Sequence, residues 1–181
     1  INFGTVEGGG SIFDKTVIDR RAGRISDTDE LVNTINENVK LDVDFIFKRG
    51  AGHRGALVLR GDGLSHEISD TDPHEIGKKI WKCTALADDE KAKKTAEILN
   101  SFMEQSHKIL DEHPYNIQRV KEGNLKGNAI LIRGAGLVPD LPSFEERFSM
   151  KLAVISNTTL IMGIGKFLKG DVIMPSGSGK E

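Results

Sequence analysis

Residues 152–174, LAVISNTTLIMGIGKFLKGDVIM, decide the fold class. Leu152 to Ser156 is an apolar run of strand length, Thr158 to Leu168 is long enough for a helix, and Asp171 to Met174 is a second short strand. A strand, a helix and a second strand in direct succession form a βαβ unit, whose crossover pairs the two strands in parallel. Upstream, Val43 to Lys48 and Gly55 to Arg60 are joined through Arg49-Gly50-Ala51-Gly52, a glycine-bearing turn of hairpin length that implies antiparallel pairing. The predicted fold is therefore α/β (α+β): a mixed β-sheet flanked by helices, ending in a βαβ unit, with residues 1–181 forming one domain.

Working outward, Asn2 to Val6 alternates like a strand and is followed by a Gly8-Gly9-Gly10 loop. Ser26-Asp27-Thr28-Asp29 opens a helix reaching about Val39 on Leu31, Val32 and Ile35. The longest helix runs from about Asp88 to Glu112. Its Ala92, Ala96, Leu99, Phe102, Met103 and Leu110 recur at spacings of three and four, so one stripe faces a core, and Met103 and His107 on or beside that stripe are packing residues. Pro114 ends or kinks it, and Tyr115 to Arg119 continue as a short helix. Asn128 to Ile132 is a buried strand, and Pro139, Pro142 and Ser143 lead to a short helix through Glu145 and Phe148.

Composition narrows the function. Apolar content of 38% beside 29% charged residues is that of a globular protein, and a net charge of −2 leaves any anion site to be built locally. Cys83 stands alone, which rules out an internal disulfide and favours a reducing, cytoplasmic setting. No apolar run has the length of a membrane span. One Tyr and one Trp offer no stacking platform for nucleic acid. The chain opens on Ile1 inside a strand-like run, the pattern of a segment from a longer polypeptide.

The chemistry concentrates between His53 and His74, HRGALVLRGDGLSHEISDTDPH. The strand Leu57-Val58-Leu59 is bracketed by His53-Arg54-Gly55 and Arg60-Gly61-Asp62-Gly63, so two guanidiniums with forked donors stand at glycine-flanked strand ends, suited to a phosphate or carboxylate. Asp70-Thr71-Asp72-Pro73-His74 then sets two carboxylates and an imidazole on an extended turn, because Pro73 biases Asp72 away from helix. Arg133-Gly134 follows the Asn128 strand in the same way. Asp19-Arg20-Arg21-Ala22-Gly23-Arg24 is a second anion candidate, and Asn116 and Arg119, one helical turn apart, can reach one target. The competing reading is a solvated hairpin and a basic surface loop, with Asp70 and Asp72 salt-bridged to the arginines.

Other chemistries are excluded by pattern. Gly177-Ser178-Gly179-Lys180 lacks the P-loop's first glycine, where Met174 stands, and its Ser or Thr, where Glu181 stands. The five histidines form no helical metal pair, so no metal is expected to bind this chain alone. There is no G-x-S-x-G elbow. What is left is an anion pocket without a nucleophile.

The motifs DRRAGR (Asp19 to Arg24), GHRGALVLRGDGLS (Gly52 to Ser65), SDTDPH (Ser69 to His74), HPYNIQR (His113 to Arg119), NAILIRGAG (Asn128 to Gly136) and FEERFSMKLAVIS (Phe144 to Ser156), in that order, resemble the cofactor-independent phosphoglycerate mutases of the archaeal type, in the alkaline phosphatase superfamily. The chain departs from the family pattern at Pro175-Ser176-Gly177-Ser178-Gly179, for P-G-A-T-G, and at Lys126-Gly127-Asn128, for P-A-N. The resemblance implies a phosphatase domain with a serine nucleophile and two divalent metal ions, manganese or magnesium, interrupted by an inserted substrate-binding domain. This chain resembles the insert, with the serine and the metal ligands outside it.

In such an enzyme 3-phosphoglycerate gives its phosphoryl group to the serine, the glycerate turns in the closed site, and the other hydroxyl takes the phosphoryl back. Holding a small anion through that turn needs several guanidiniums. The resemblance then implies Arg20, Arg21, Arg54, Arg60 and Arg133 as phosphate and carboxylate ligands, with Asn116 and Arg119 beside them. Asp70 and Asp72 carry hydroxyl protons, and His53 or His74 shares that task. The implied partners are phosphoglycerate and the enzyme's own phosphatase domain, with association between copies left open. The rival from another class is a non-catalytic module binding a phosphorylated metabolite or a protein through the same basic pocket. If one pocket is served, these side chains line a common cleft.

Overall fold

The computed structural model describes residues 1–176. The P-loop-like ending Gly177 to Lys180 lies outside the described residues. Where the sequence suggested one domain, the chain divides into two compact units, 1–137 and 138–181.

The first unit is built on β1 (Asn2–Glu7), the central strand of a three-stranded antiparallel sheet. On one side it pairs with β2 (Thr16–Asp19), Thr5 opposite Asp19 and Glu7 opposite Thr16; on the other it pairs with β5 (Ala129–Leu131), Asn2 opposite Leu131. Five of the six residues of β1 are buried, as a strand covered on both faces requires. Gly4 is needed there: a Cβ would meet Leu131 Cδ1 at 2.8 Å and the Asp19 carbonyl at 3.2 Å. The sequence reading did not anticipate β2, although Thr16-Val17-Ile18 is a run of β-branched residues.

The hairpin of β3 (Asp44–Arg49) and β4 (Gly55–Arg60) has the expected antiparallel register, Asp44 opposite Arg60 and Arg49 opposite Gly55. Helix α1 (Asp29–Asn38) buries Leu31, Val32 and Ile35, and α2 (Glu90–Asp111) buries its stripe through Leu99, Phe102, Met103, His107 and Leu110. The rings of Phe3, Phe47 and Phe102 meet in succession at 5.8 Å and join sheet, hairpin and α2 in one core. Pro114 is the first residue of α3 (Pro114–Lys121), where its missing N–H costs nothing, and His113 is the N-cap.

The second unit holds α4 (Phe144–Phe148) and the βαβ unit of β6 (Ala153–Ile155), α5 (Thr159–Phe167) and β7 (Asp171–Ile173), with β6 and β7 parallel as expected. Parallel and antiparallel pairing both occur, so the α/β class stands, but among the described residues they lie in separate sheets of three, two and two strands. The mixed sheet of the sequence reading needed one sheet to contain both, and pattern alone does not say that β1 takes its neighbours from residues 16–19 and 129–131. Leu160, Ile161, Ile164 and Phe167 of α5, with Ile155 and Ile173 of the strands, remain exposed. Among the described residues no helix is long and apolar enough to cross a membrane.

Candidate functional site

Antiparallel pairing brings the start of β1, the end of β2 and the end of β5 to one edge of the three-stranded sheet. Arg20 and Arg21 follow β2, and Arg133 follows β5 by two residues. The hairpin turn is stitched to the same edge: the Phe3 N–H donates to the His53 carbonyl at 2.7 Å, and the Gly55 N–H donates to the Ile1 carbonyl at 3.1 Å. His53 and Arg54 are delivered there. Thr71 then docks the acidic turn beyond β5, its N–H donating to the Ile132 carbonyl at 2.9 Å while its hydroxyl accepts the Ile132 N–H at 3.0 Å. Four chain segments, gathered around β1, thus bring Arg20, Arg21, His53, Arg54, Asp70, Asp72, His74 and Arg133 to one edge.

Asp72 is the centre of the cluster. Its side chain is fully buried and takes Arg20 in a forked pair, Nε to Oδ1 at 2.9 Å and Nη2 to Oδ2 at 2.7 Å, with Arg133 Nη1 at 3.7 Å from Oδ2. The His74 N–H adds a bond to Oδ1 at 3.0 Å. Burial pushes this carboxyl up, but the Arg20 guanidinium and the His74 N–H outweigh it and hold the carboxyl below its ordinary value. Asp72 is therefore a fixed anion that orients two guanidiniums, a poor carrier of protons.

Asp70 and His74 are more open. Asp70 Oδ1 accepts the Gly134 N–H at 2.9 Å, and Oδ2 lies 3.2 Å from His74 Nε2. The other ring nitrogen, Nδ1, is 3.2 Å from Arg20 Nη2. A guanidinium only donates, so Nδ1 accepts and the ring proton sits on Nε2, pointing at Asp70. His74 holds φ at +59°, rare for a residue with a Cβ, and its three contacts maintain it. His53 is driven towards its neutral form, first by burial and then by the charges of Arg54, Arg21 and Arg133, against a smaller pull from Asp19.

The guanidinium turn has an unusual backbone. Ala22, Gly23 and Arg24 lie in succession in the left-handed region, at φ +49°, +62° and +59°, a conformation that costs a residue with a side chain about 1–2 kcal/mol. The Asp19 carboxylate offsets part of that by accepting the Arg21 N–H at 2.6 Å and the Gly23 N–H at 3.1 Å. Neither this Asx-type turn nor the Thr71 dock was part of the sequence reading. The D-x-x-x-G spacing could have signalled the first.

Three predicted site residues stand elsewhere. Arg60 ends β4 at its far end, about 17 Å of strand from Gly55, because each residue advances the chain by about 3.3 Å. Asn116 is fully buried and spends its amide on backbone, donating to the Leu110 and Gly127 carbonyls at 2.8 and 3.2 Å and accepting the Gly127 N–H at 2.8 Å. Arg119 donates to the carbonyls of Leu125 and Ala22, at 2.9 and 3.1 Å. Both are backbone clamps. A cavity of about 560 Å³ between Lys15, Glu104, His107 and Asp111 includes none of the predicted residues. Among the described residues no three His, Cys, Asp or Glu side chains converge as a metal site would need.

Comparison with known proteins points to one family. The family model described as 2,3-bisphosphoglycerate-independent phosphoglycerate mutase matches residues 1–116. The 2,3-bisphosphoglycerate-independent phosphoglycerate mutase 1 of Archaeoglobus fulgidus is 55% identical over 177 residues, 98% of this chain and 43% of the relative. The enzyme of that description from Thermococcus kodakarensis is 43% identical over 184 residues, covering all of this chain and 43% of its own. The solved cofactor-independent phosphoglycerate mutase of Thermoplasma acidophilum superposes with a TM-score of 0.74 at 36% identity, over 99% of this chain and 47% of that one. The chain thus spans less than half the length of the relatives it matches.

Proposed function

The chain belongs to the 2,3-bisphosphoglycerate-independent phosphoglycerate mutase family, and we propose that it supplies the substrate-holding half of such an enzyme. In the full-length protein this half grips the glycerate of 3-phosphoglycerate or 2-phosphoglycerate while a phosphatase domain, built from the rest of the polypeptide, carries the phosphoryl group on a serine. The reaction is an isomerisation in glycolysis and gluconeogenesis, performed in the cytoplasm. The observation that carries the reading is the convergence of Arg20, Arg21, Arg54 and Arg133 beside a neutral His53 on one sheet edge, with only Asp72 buried among them.

Each group then has a task. Arg20 is held by Asp72 through Nε and Nη2 and sets the geometry. Arg21, Arg54 and Arg133 keep donors for the substrate's carboxylate or phosphate oxygens, and forked donors aimed at a small anion fix its orientation. A neutral His53 among cations accepts a hydrogen bond from a glycerate hydroxyl without repelling the arginines. Asp70, with His74 as its partner, is placed to take a hydroxyl proton and return it, since both are reachable from solvent and the ring proton already lies between them.

The serine and the two divalent cations, manganese or magnesium, belong in this reading to the part of the enzyme outside residues 1–181. When bound, the cations activate the nucleophile and stabilise charge on the phosphoryl oxygens. Among the described residues no three His, Cys, Asp or Glu side chains converge, and the tasks above involve this chain's own side chains alone.

The bare apolar faces of α5, β6 and β7 support the second partner, the phosphatase domain. A two-stranded parallel pair does not stand alone, and parallel strands are ordinarily buried on both faces. The test is kinetic: Arg21→Ala and Arg54→Ala in the full-length enzyme raise KM for 3-phosphoglycerate and lower kcat. A non-catalytic metabolite-binding module would lose ligand affinity alone, with no turnover to lose.

A further inference from the structure

Helix α3 grips the guanidinium turn at two points. Arg119 Nη2 donates to the Ala22 carbonyl at 3.1 Å while its Nε donates to Leu125 at 2.9 Å. One helical turn earlier, the Tyr115 hydroxyl donates to the Asp27 carbonyl at 2.8 Å. Between those two points lies the left-handed run Ala22-Gly23-Arg24. Ala22 is fully buried, so the turn cannot shift without moving a packed side chain. The helix is anchored in its turn by Asn116, between the two grips, on the Leu110 carbonyl and both backbone groups of Gly127.

We propose that Arg119, supported by Tyr115, is a positioning residue for the substrate: it holds the left-handed turn that keeps Arg21 beside His53, and touches no substrate itself. The inference rests on reading the cluster as a phosphoglycerate pocket. Arg20 does not need this support, because Asp72 fixes it directly. Arg21 carries no such partner on its side chain, and its place follows from its backbone: its N–H goes to Asp19 and its carbonyl accepts the Ile25 N–H at 3.2 Å. The Ala22 carbonyl also accepts the Ile25 N–H at 3.2 Å, shared with Arg21; without the charged bond from Arg119, that long shared bond alone holds it, Ala22 relaxes towards the right-handed region, and the Arg21 side chain swings with it. The planar guanidinium reaches two carbonyls at once, which an ammonium does not, so the position asks for arginine.

The experiment uses the full-length enzyme with 3-phosphoglycerate, and hydrogen exchange at the Gly23 and Ile25 amides, the donors inside the turn. Arg119→Ala raises KM about tenfold, the size expected for one charged hydrogen bond, and leaves kcat within about twofold. Both turn amides exchange faster while those of β1 and β5 do not change. Tyr115→Phe moves KM in the same direction by less, and the double variant falls short of the product of the singles because both act on one turn. Arg119→Lys restores part of the loss. An unchanged KM with loosened amides overturns the proposal, as does a fall in kcat equal to the fall in kcat/KM with the amides unaltered, which would put Arg119 on the reacting groups. If Arg119→Ala does not fold, Tyr115→Phe and Arg119→Lys decide by the same readouts. Absence of turnover by the unaltered full-length enzyme overturns the mutase reading and this inference together, whereas a normal parent enzyme with an indifferent variant removes the positioning role alone.

Discussion

The carboxylate of Asp72 receives Nε and Nη2 of Arg20 at 2.9 and 2.7 Å across 52 residues of sequence, and no part of that side chain reaches solvent. Arg20 keeps about a quarter of its side chain in water, so the pair is buried at one end only. Asp72→Asn keeps the shape and removes the charge that holds Arg20 and attracts Arg133. Transfer of phosphoryl to glycerate in the full-length enzyme should lose most of its rate. Stability of the first unit should fall by about 2–4 kcal/mol, somewhat below a fully buried pair because Arg20 can still be hydrated. Kinetics and denaturant titration of the same variant check both; retained transfer would leave Asp72 a purely structural anchor.

Arg133 and Arg60 both follow apolar strands, and the sequence gives no reason to separate them. Arg133 stands 3.7 Å from Asp72 with 40% of its side chain exposed, so it has donors to offer. Arg60 lies at the opposite end of the hairpin. Arg133→Ala should therefore abolish most transfer with less than about 1 kcal/mol of destabilisation, and Arg60→Ala should leave KM and kcat within about twofold. A loss with Arg60→Ala equal to that with Arg133→Ala would mean that the enzyme closes on the far end of the hairpin as well.

That contrast shows what the sequence could carry. Residues whose role follows from their neighbours in the chain were legible: the hairpin around Arg54, the stripe of α2, the βαβ tail, the acidic turn ending at His74. The backbone bonds of Asn116 and Arg119 were not legible, because the number of donors on a side chain is visible in sequence while the carbonyls within its reach are not. Those carbonyls, at Leu110, Gly127, Leu125 and Ala22, belong to loops whose paths are set by packing. The three-stranded sheet was hidden for a related reason, since β1 takes one partner from the distant residues 129–131 and the other, β2, is only four residues long.

His107 predicts a pH dependence. Burial lowers its affinity for a proton below the ordinary value of 6.5, with smaller help from Lys15 and Lys126, while the Asn128 carbonyl 2.7 Å from Nδ1 and the charge of Asp111 oppose the shift. The unfolded chain therefore binds a proton at His107 at a pH where the folded chain does not. Between 6.5 and the lower folded value the unfolded state holds more protons, so stability rises with pH in that window, by up to about 1.4 kcal/mol per pH unit, and is level above it for this group. Exchange protection of the Ala129–Leu131 amides, corrected for intrinsic rates, should weaken as pH drops from about 7 to 5. His107→Gln keeps a donor for Asn128 without a titrating ring and should flatten part of the slope; His53, shifted the same way, supplies the rest. An unaltered slope in His107→Gln would place the effect elsewhere.

The polypeptide of residues 1–181 should show no mutase or phosphatase turnover with manganese or magnesium present, because the cluster binds and orients but supplies no activated nucleophile. Its second unit should also be only loosely folded. Ile155, Ile173, Leu160, Ile161, Ile164 and Phe167 are all more than a third exposed, and a 44-residue unit that buries so little apolar surface is below the size at which a core sustains itself. The β6 and β7 amides should thus exchange readily in this polypeptide and be protected in the full-length enzyme, and Ile173→Lys should destabilise only the latter. Protection equal in both would mean that the apolar faces need no covering domain. Turnover by the polypeptide alone would require a hydroxyl nucleophile within it. Of the three hydroxyls in the central stretch, that of Thr71 is committed to Ile132 and that of Ser69 accepts the Thr84 N–H at 2.9 Å, while that of Ser65 accepts the Glu67 N–H at 3.1 Å, which makes Ser65 the first of the three to replace.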